Sequence, residues 1–204
     1  PEPEPQKTIR PIIYISYSQL QTFQMCPLHY KLRYILNVPT VPTPALSYGV
    51  SVHNSLREFT ERVKNNEPQT ASNMTDILKT HWLKGGYSSK RHEVQTYEQA
   101  EKMLRAAAAD YLEAKPQTLA IETPFQFPLR GIKVGGRIDR IDKLPDGRIE
   151  IIDYKTGSNV PDAKKLRDDL QLTFYALAAT ETRDSIFNKT PDEIVLTLSY
   201  LDVN

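Results

Sequence analysis

Residues 148–157 read RIEIIDYKTG. On a β-strand, positions i and i+2 share a face, so Ile149, Ile151, Asp153 and Lys155 form one row in which two apolar side chains are followed by two charged ones. Burying such charges is costly unless they are paired or hold something, so the row asks for a ligand. An acid-x-Lys triplet alone carries little weight, because about one arises by chance in a chain of this size. Glu113–Lys115 and Asp162–Lys164 have the same spacing. Only Asp153-x-Lys155 ends an apolar strand, and only it has an acidic residue, Asp139, on the preceding strand of the same hairpin, in GGRIDRID (135–142).

With the hairpin turn near 145–147, Asp139 and Asp153 lie level to within a residue or two. Two carboxylates side by side repel, and one takes up a proton unless a cation sits between them. Hard oxygen ligands suit magnesium, and manganese also accepts a nitrogen ligand. The competing reading leaves both aspartates on a solvated face, each satisfied by a neighbour such as Arg137 or Arg140. Two further features bear on the choice. His53 stands beside the apolar stripe of an upstream helix, at the spacing Gly49-x-x-x-His53, and Gln171 and Tyr175 stand i, i+4 on the helix after the DYK strand. A lone histidine beside a core stripe is more often a packed residue than a ligand; its company is what changes the weight here.

Outward from this hairpin, LAIETPFQFPL (119–129), IKVGGRIDRID (132–142) and GRIEIIDYKT (147–156) are β-branched runs separated by turn residues at Arg130–Gly131 and Pro145–Asp146–Gly147, and they predict a three-stranded meander. One helix is expected from about Asp162 to Thr182, with Leu166, Leu170, Phe174 and Leu177 as its stripe, and EIVLTLSYL (193–201) predicts a last strand. Upstream, a helix capped by Ser16 or Ser18 carries Leu20, Phe23, Leu28, Leu32 and Ile35. The Pro-rich stretch 37–47 breaks it, and a second helix from Leu46 to about Lys64 carries Val52, Leu56, Phe59 and Val63. Further helices are expected at about 73–84 and 95–114. Helices followed by strands, then helix and strand, indicate an α/β or α+β domain around one mixed sheet. The expected organisation is a Pro-rich linker at 1–12 and a single domain at 13–204, helical at about 16–115 and with its sheet core at about 118–204.

The 204-residue chain is 39 % hydrophobic and 25 % charged, an ordinary globular composition. No apolar run approaches the roughly 20 residues that cross a bilayer, and no signal peptide opens the chain, so a cytoplasmic protein is expected. Its net charge of +1 does not announce a polyanionic partner, so a local patch must do so. The single cysteine, Cys26, excludes an internal disulfide and any multi-cysteine metal site within the chain.

The ordered set GVSVHNSLREF (49–59), IETPF (121–125), GGRIDRID (135–142), IIDYKTG (151–157) and DLQLTFYALA (169–178), with SYSQLQTFQMCPLHYKLRYI (16–35) as an opening helix, resembles the RecB-like branch of the PD-(D/E)xK nuclease superfamily. Each motif is weak alone; together, in this order over residues 16–201, they are specific. The resemblance implies a restriction-endonuclease-like core with a mixed central sheet flanked by helices and an N-terminal helical part. It also implies a metal-dependent deoxyribonuclease using Mg2+ or Mn2+. Carried over by position, His53, Asp139, Asp153 and the backbone carbonyl of Tyr154 would be metal ligands, and Lys155 would contact the attacking water and the scissile phosphate. Glu122 matches an acidic residue of the first strand, while Gln171 and Tyr175 match a polar pair that positions the nucleic-acid backbone. All the catalytic positions keep their residue type, which argues against an inactive relic.

The chain departs from those relatives that hold an iron–sulfur cluster with four cysteines, one at the position of Cys26. The other three are missing here, so no cluster is expected and Cys26 is expected to be a small buried residue. The implied partner is DNA, single-stranded or unwound, fed by a UvrD-type helicase in the same chain or complex, with the Pro-rich head and missing initiator methionine fitting a tether. Arg137, Arg140 and the basic group Lys164, Lys165 and Arg167 could line a phosphate path, with Tyr48, Tyr154 and Tyr175 as stacking faces. Two rivals are a catalytically silent DNA-binding module and a metal-free two-carboxylate hydrolase such as a glycosidase; the latter leaves Lys155 unexplained.

Overall fold

A computed structural model describes residues 12–202; the greater part of the expected linker, residues 1–11, lies outside the described residues. The chain runs β1 (Tyr14–Ser16), α1 (Tyr17–Met25), α2 (Pro27–Tyr30), a π-helical turn (Lys31–Ile35), α3 (Pro44–Lys64), α4 (Asn73–His81), α5 (Lys90–Ala114), β2 (Gln117–Leu129), β3 (Ile132–Lys143), β4 (Ile149–Lys155), α6 (Ala163–Arg167), α7 (Leu170–Glu181) and β5 (Ile194–Tyr200).

Helix starts follow side chains that satisfy free backbone N–H groups. Ser16, not Ser18, caps α1: its hydroxyl accepts from Gln19 N while the Gln19 side chain accepts from Ser16 N, a reciprocal capping box. Thr43 caps α3 with Pro44 in the first turn. Ser89 caps α5, which starts five residues before the expected position because its polar first turn carries no apolar periodicity. The single helix expected over 162–182 is two. Asp162 caps α6, and Asp169 caps α7 by accepting from Leu172 N, so the chain restarts at 169 and sets Gln171 in the first turn of α7.

The meander forms as expected, β2–β3–β4 antiparallel, and β5 adds parallel to β4, giving a mixed sheet with helices around it. Because β2 runs along one whole edge of β3, the other edge is shared. β4 pairs with residues 140–143 and β1, parallel, with 133–135. Residues 136–139 fall between these two partners.

One core lies between the sheet and α7, with Phe127, Val134, Ile138, Ile141, Ile149, Ile151, Phe174 and Ala178. A second joins α3, α4 and α5 through Val52, Leu56, Phe59, Ile77, Leu78 and Leu104. Burying each large apolar side chain contributes about 1.5–3 kcal/mol. Of the stripe expected on the opening helix only Leu20 packs against the sheet core, while Phe23, Leu28, Leu32 and Ile35 stand 40–62 % exposed. The break at Cys26–Pro27 and the π-turn after Tyr30 interrupt the 3.6-residue period that the stripe assumed. Cys26, expected to be buried, is half-exposed, since it forms the extended joint between α1 and α2.

Candidate metal and catalytic site

The row on β4 faces α7. Ile149 and Ile151 enter the core beneath Phe174 and Ala178, and Asp153 comes next under Gln171 and Tyr175. Asp153 is 5 % exposed. Its Oδ1 accepts from the Tyr175 hydroxyl at 2.6 Å and from Gln171 Nε2 at 2.7 Å, and its Oδ2 lies 2.6 Å from the Lys155 ammonium without a well-directed hydrogen bond. Lys155 also donates to Gln171 Oε1 at 2.6 Å. Gln171 therefore bridges the acid and the base, fixing both.

The β3–β4 register pairs Arg140 with Ile152, so Asp139 arrives beside Asp153, as the hairpin spacing predicts. Asp139 Oδ2 accepts from Tyr154 N at 2.8 Å and lies 3.3 Å from His53 Nδ1. His53 is delivered by the middle of α3, whose apolar side is anchored in the helical core by Val52 and Leu56. The β2–β3 register pairs Ile121 with Arg140 and Thr123 with Ile138, which sets Glu122 across from Asp139. Glu122 adopts φ +49°, a left-handed conformation uncommon for a side chain other than glycine and typical of strained functional positions. Ligand atoms of His53, Glu122 and Asp139 lie within 4.8 Å of one another.

The electrostatics fit a crowded acidic site. Burial, then the Asp139 charge, push the Asp153 carboxyl up from its ordinary value, against the partial relief of Lys155 and Tyr175. Burial and Asp139 likewise push Glu122 up, against the pull of Arg137, 3.5 Å away, and His53. Burial works against a charged His53, but the hydrogen bond and charge of Asp139, with Asp153 and Glu122, outweigh it and raise the imidazole. Burial is the larger cause for both carboxyls and the neighbouring Asp139 charge the second, so a cation bound among these groups would relieve part of the crowding.

An open groove of about 400 Å³, lined by Ala45, Leu46, Gly49, Val50, His53, Asn54, Glu122 and Asp139, leads to this cluster.

The family model of the PD-(D/E)XK nuclease superfamily matches residues 14–204. The chain belongs to this superfamily. It is 30 % identical over 202 residues to the Gene 69 protein of Mycobacterium phage D29, covering 87 % of this chain and 72 % of that protein. To a subunit of the ATP-dependent helicase/deoxyribonuclease it is 26 % identical in Streptococcus agalactiae and 28 % in Clostridium perfringens, covering 90 % and 78 % of this chain. In both cases it spans only 17 % of that subunit's length. These likenesses agree with the RecB-like resemblance of the motifs, and the mixed, helix-flanked sheet is the restriction-endonuclease-like architecture of the superfamily.

Within this nuclease fold, the anticipated residues are not all disposed as the motifs suggest. His53, Glu122 and Asp139 form the tightest group of metal-ligand side chains among the described residues, with Asp153 adjacent but turned toward Lys155, Gln171 and Tyr175. Tyr175, anticipated against nucleic acid, is 4 % exposed with its hydroxyl on Asp153, and Tyr48 is also buried, so neither offers a stacking face. The Tyr154 ring packs against the helical core. Arg140 directs its guanidinium to Tyr154 and Asp142 and, with His53, Glu122 and Asp139, lines the small cavity beside the acidic cluster. Arg137 stays 59 % exposed beside Glu122. Arg57, to which the motifs assign no role, lies one turn after His53, lines the small cavity shared with Glu122 and Asp139, and has a buried Nε without an acceptor. Its i+4 spacing from His53 was the available signal.

Proposed function

We propose that the chain is a divalent-metal-dependent DNA nuclease that hydrolyses phosphodiesters of single-stranded or unwound DNA, acting from ends in the cytoplasm during repair or recombination. The observation that carries the proposal is the convergence of His53, Glu122 and Asp139 within 4.8 Å, next to an Asp153–Lys155 pair locked by Gln171. The donor set fits such an ion: hard carboxylate oxygens with one imidazole nitrogen suit Mg2+ or Mn2+, and Asp153 Oδ2 is buried with an unused lone pair. His53, Asp139, Asp153 and the Tyr154 carbonyl would hold it, with Glu122 as a further ligand or as the acid that orients one. Bound there, the cation supplies Lewis-acid polarisation of a phosphate oxygen and a more acidic water.

The chain's own residues do the remainder. Lys155, held at 2.6 Å from both Asp153 and Gln171, presents a compact positive charge where the phosphoryl oxygens gather negative charge. Gln171 and Tyr175 set the Asp153 oxygen and so position the pair from α7. Arg137, exposed at the rim, supplies a phosphate contact for an incoming strand. The single domain is proposed to work beside a helicase, in the same chain or complex, which supplies the unwound strand; the support is the name borne by the helicase/deoxyribonuclease relatives.

Labelled single- and double-stranded DNA, incubated with Mg2+, Mn2+ or EDTA, tests the reading. Cleavage with either cation that stops in EDTA is expected. Binding without cleavage in any cation, or cleavage that survives the chelator, refutes it.

A further inference from the structure

The face of the sheet away from α7 holds a cavity of about 340 Å³ whose walls include Tyr111, Arg140, Asp142 and Tyr154. Its polar groups form one continuous chain of contacts. The Tyr111 and Thr118 hydroxyls are 2.9 Å apart, and Thr118 Oγ1 donates to Asp142 Oδ1 at 2.8 Å. Asp142 Oδ2 receives Arg140 Nη2 at 3.0 Å, and Arg140 Nη1 donates to the Tyr154 hydroxyl at 2.5 Å. The guanidinium carbon lies 5.1 Å from the centroid of the Tyr111 ring and 5.6 Å from that of Tyr154. Its Nε has no acceptor, so the two Nη groups alone fix the head.

The chain of contacts ends on Tyr154, which is also where the acidic cluster begins. The Tyr154 N–H is bonded to Asp139, and its ring meets the His53 imidazole nearly edge-on, with centroids 6.3 Å apart. The β3–β4 ladder stops at the Arg140–Ile152 pair; beyond it, Asp153 to Lys155 keep strand pairing only with β5. On the β3 side, side chains must set the place of the Tyr154 peptide. Arg140 is the side chain placed to do so: pairing with Ile152 puts it diagonally against Tyr154 on the same face. A buried ion pair such as Arg140–Asp142 adds little net stability over an apolar pair, and here it holds the guanidinium that reaches Tyr154.

We infer that Arg140 is a positioning residue of the nuclease site. By clamping the Tyr154 phenol, it fixes the Tyr154 peptide, and through it the placing of the Asp139 carboxylate and the Tyr154 carbonyl, which would hold a divalent cation. The inference rests on the metal-dependent reading above and names a control of that site that touches neither DNA nor cation.

The test is Mn2+ binding to metal-free protein by titration calorimetry, alongside melting curves in EDTA and cleavage against Mg2+ concentration. Tyr154→Phe keeps the peptide and the ring but removes the clamp's acceptor; Arg140→Lys keeps the charge but loses the fork. Both variants are expected to bind Mn2+ roughly 10–100-fold more weakly, the range typical of lost outer contacts to metal ligands. Cleavage should return toward the wild-type rate at saturating cation, and the double variant should be scarcely weaker than either single one. Variants that melt lower in EDTA yet match the wild-type Mn2+ isotherm overturn the inference and leave a structural ion pair. A wild type that neither binds Mn2+ nor cuts DNA sinks the metal-dependent reading, and the inference with it.

Discussion

The backbone N–H of Tyr154 donates to Asp139 Oδ2 at 2.8 Å. In a continued hairpin that N–H would look for a main-chain carbonyl, but β3 gives its free edge to β4 only as far as residue 140 and to β1 only from 135 downward. The carboxylate of Asp139 stands in for the missing rung. A carboxylate of the proposed metal site thereby becomes part of the sheet's own bonding, which anchors it beside His53 and Glu122.

This double duty separates two substitutions. Asp139→Asn keeps an oxygen for the Tyr154 N–H and loses the charge, whereas Asp139→Ala orphans a half-buried donor at about 1–3 kcal/mol. Urea unfolding in EDTA should therefore place the Asn variant near wild type and the Ala variant clearly below it. Cleavage should fall at least about 100-fold in both.

Proton competition sets the pH dependence of cation binding. The imidazole of His53 is raised above its ordinary 6.5, and the carboxyls of Glu122 and Asp153 above 4.5 and 3.8. Each group holds its proton more tightly folded than unfolded. Its contribution to stability is full below the unfolded value and is lost as pH rises through the folded one. A cation needs all three deprotonated. The increase in melting temperature produced by a fixed Mn2+ concentration should shrink steadily from about pH 8 to about pH 6, with proton release on binding measurable in buffers of different ionisation heat. A pH-independent Mn2+ shift would contradict the assignment.

Glu122 carries its carboxylate on a left-handed backbone, φ +49°. In an ordinary strand, glycine is less stable than glutamine, because it gains chain entropy on unfolding. Here that order should reverse, with Glu122→Gly melting above Glu122→Gln, because only glycine adopts this conformation without steric cost, on the order of 1–2 kcal/mol. Both variants should cleave more slowly than wild type.

Tyr175 and Gln171 satisfy a buried Asp153 oxygen. Tyr175→Phe leaves that oxygen one donor short, at about 1–3 kcal/mol in the metal-free protein at neutral pH. Protonating Asp153, whose carboxyl is raised by burial and by Asp139, lessens its need for donors, so the deficit should narrow in acid. Paired urea melts at neutral and acid pH measure it directly.

The glycines of GGRIDRID answer to packing. A methyl group on Gly135 would meet the Phe125 carbonyl oxygen at 2.8 Å and the Tyr14 ring at 2.9 Å; one on Gly136 would meet the Phe125 ring at 2.9 Å. Backbone cannot swing aside, so Gly135→Ala should cost about 1–3 kcal/mol by thermal melting. It should also loosen β1, whose Ser16 lies opposite Gly135 and caps α1.

The local and periodic features were legible in the chain. Alternation along Ile149, Ile151 and Asp153 and the turn at 145–147 located the hairpin, and the 3.6-residue stripe Val52, Leu56 and Phe59 located α3, because both patterns depend only on which face of one element meets the core. The opening helix misled for the same reason: its stripe exists, but among the described residues Phe23, Leu28, Leu32 and Ile35 stay exposed, and periodicity cannot say whether a partner surface is there. Two aspartates at 162 and 169, each able to cap, divided a stretch that apolar spacing alone had joined.

The two paired strands on which Asp139, and then Asp153 and Lys155, sit were determined by the sequence itself, since strand parity and hairpin register are local. Tertiary structure brought His53 and Glu122 to Asp139, and it alone decided that Gln171 and Tyr175 serve Asp153 from within and that Arg140 turns to Tyr154 and Asp142. The reason is that these contacts join positions as much as 86 residues apart, from His53 to Asp139. Their partners are chosen by how the helices pack on the two faces of the sheet and by where β3 runs out of backbone partners, and neither is written in any single stretch of the chain.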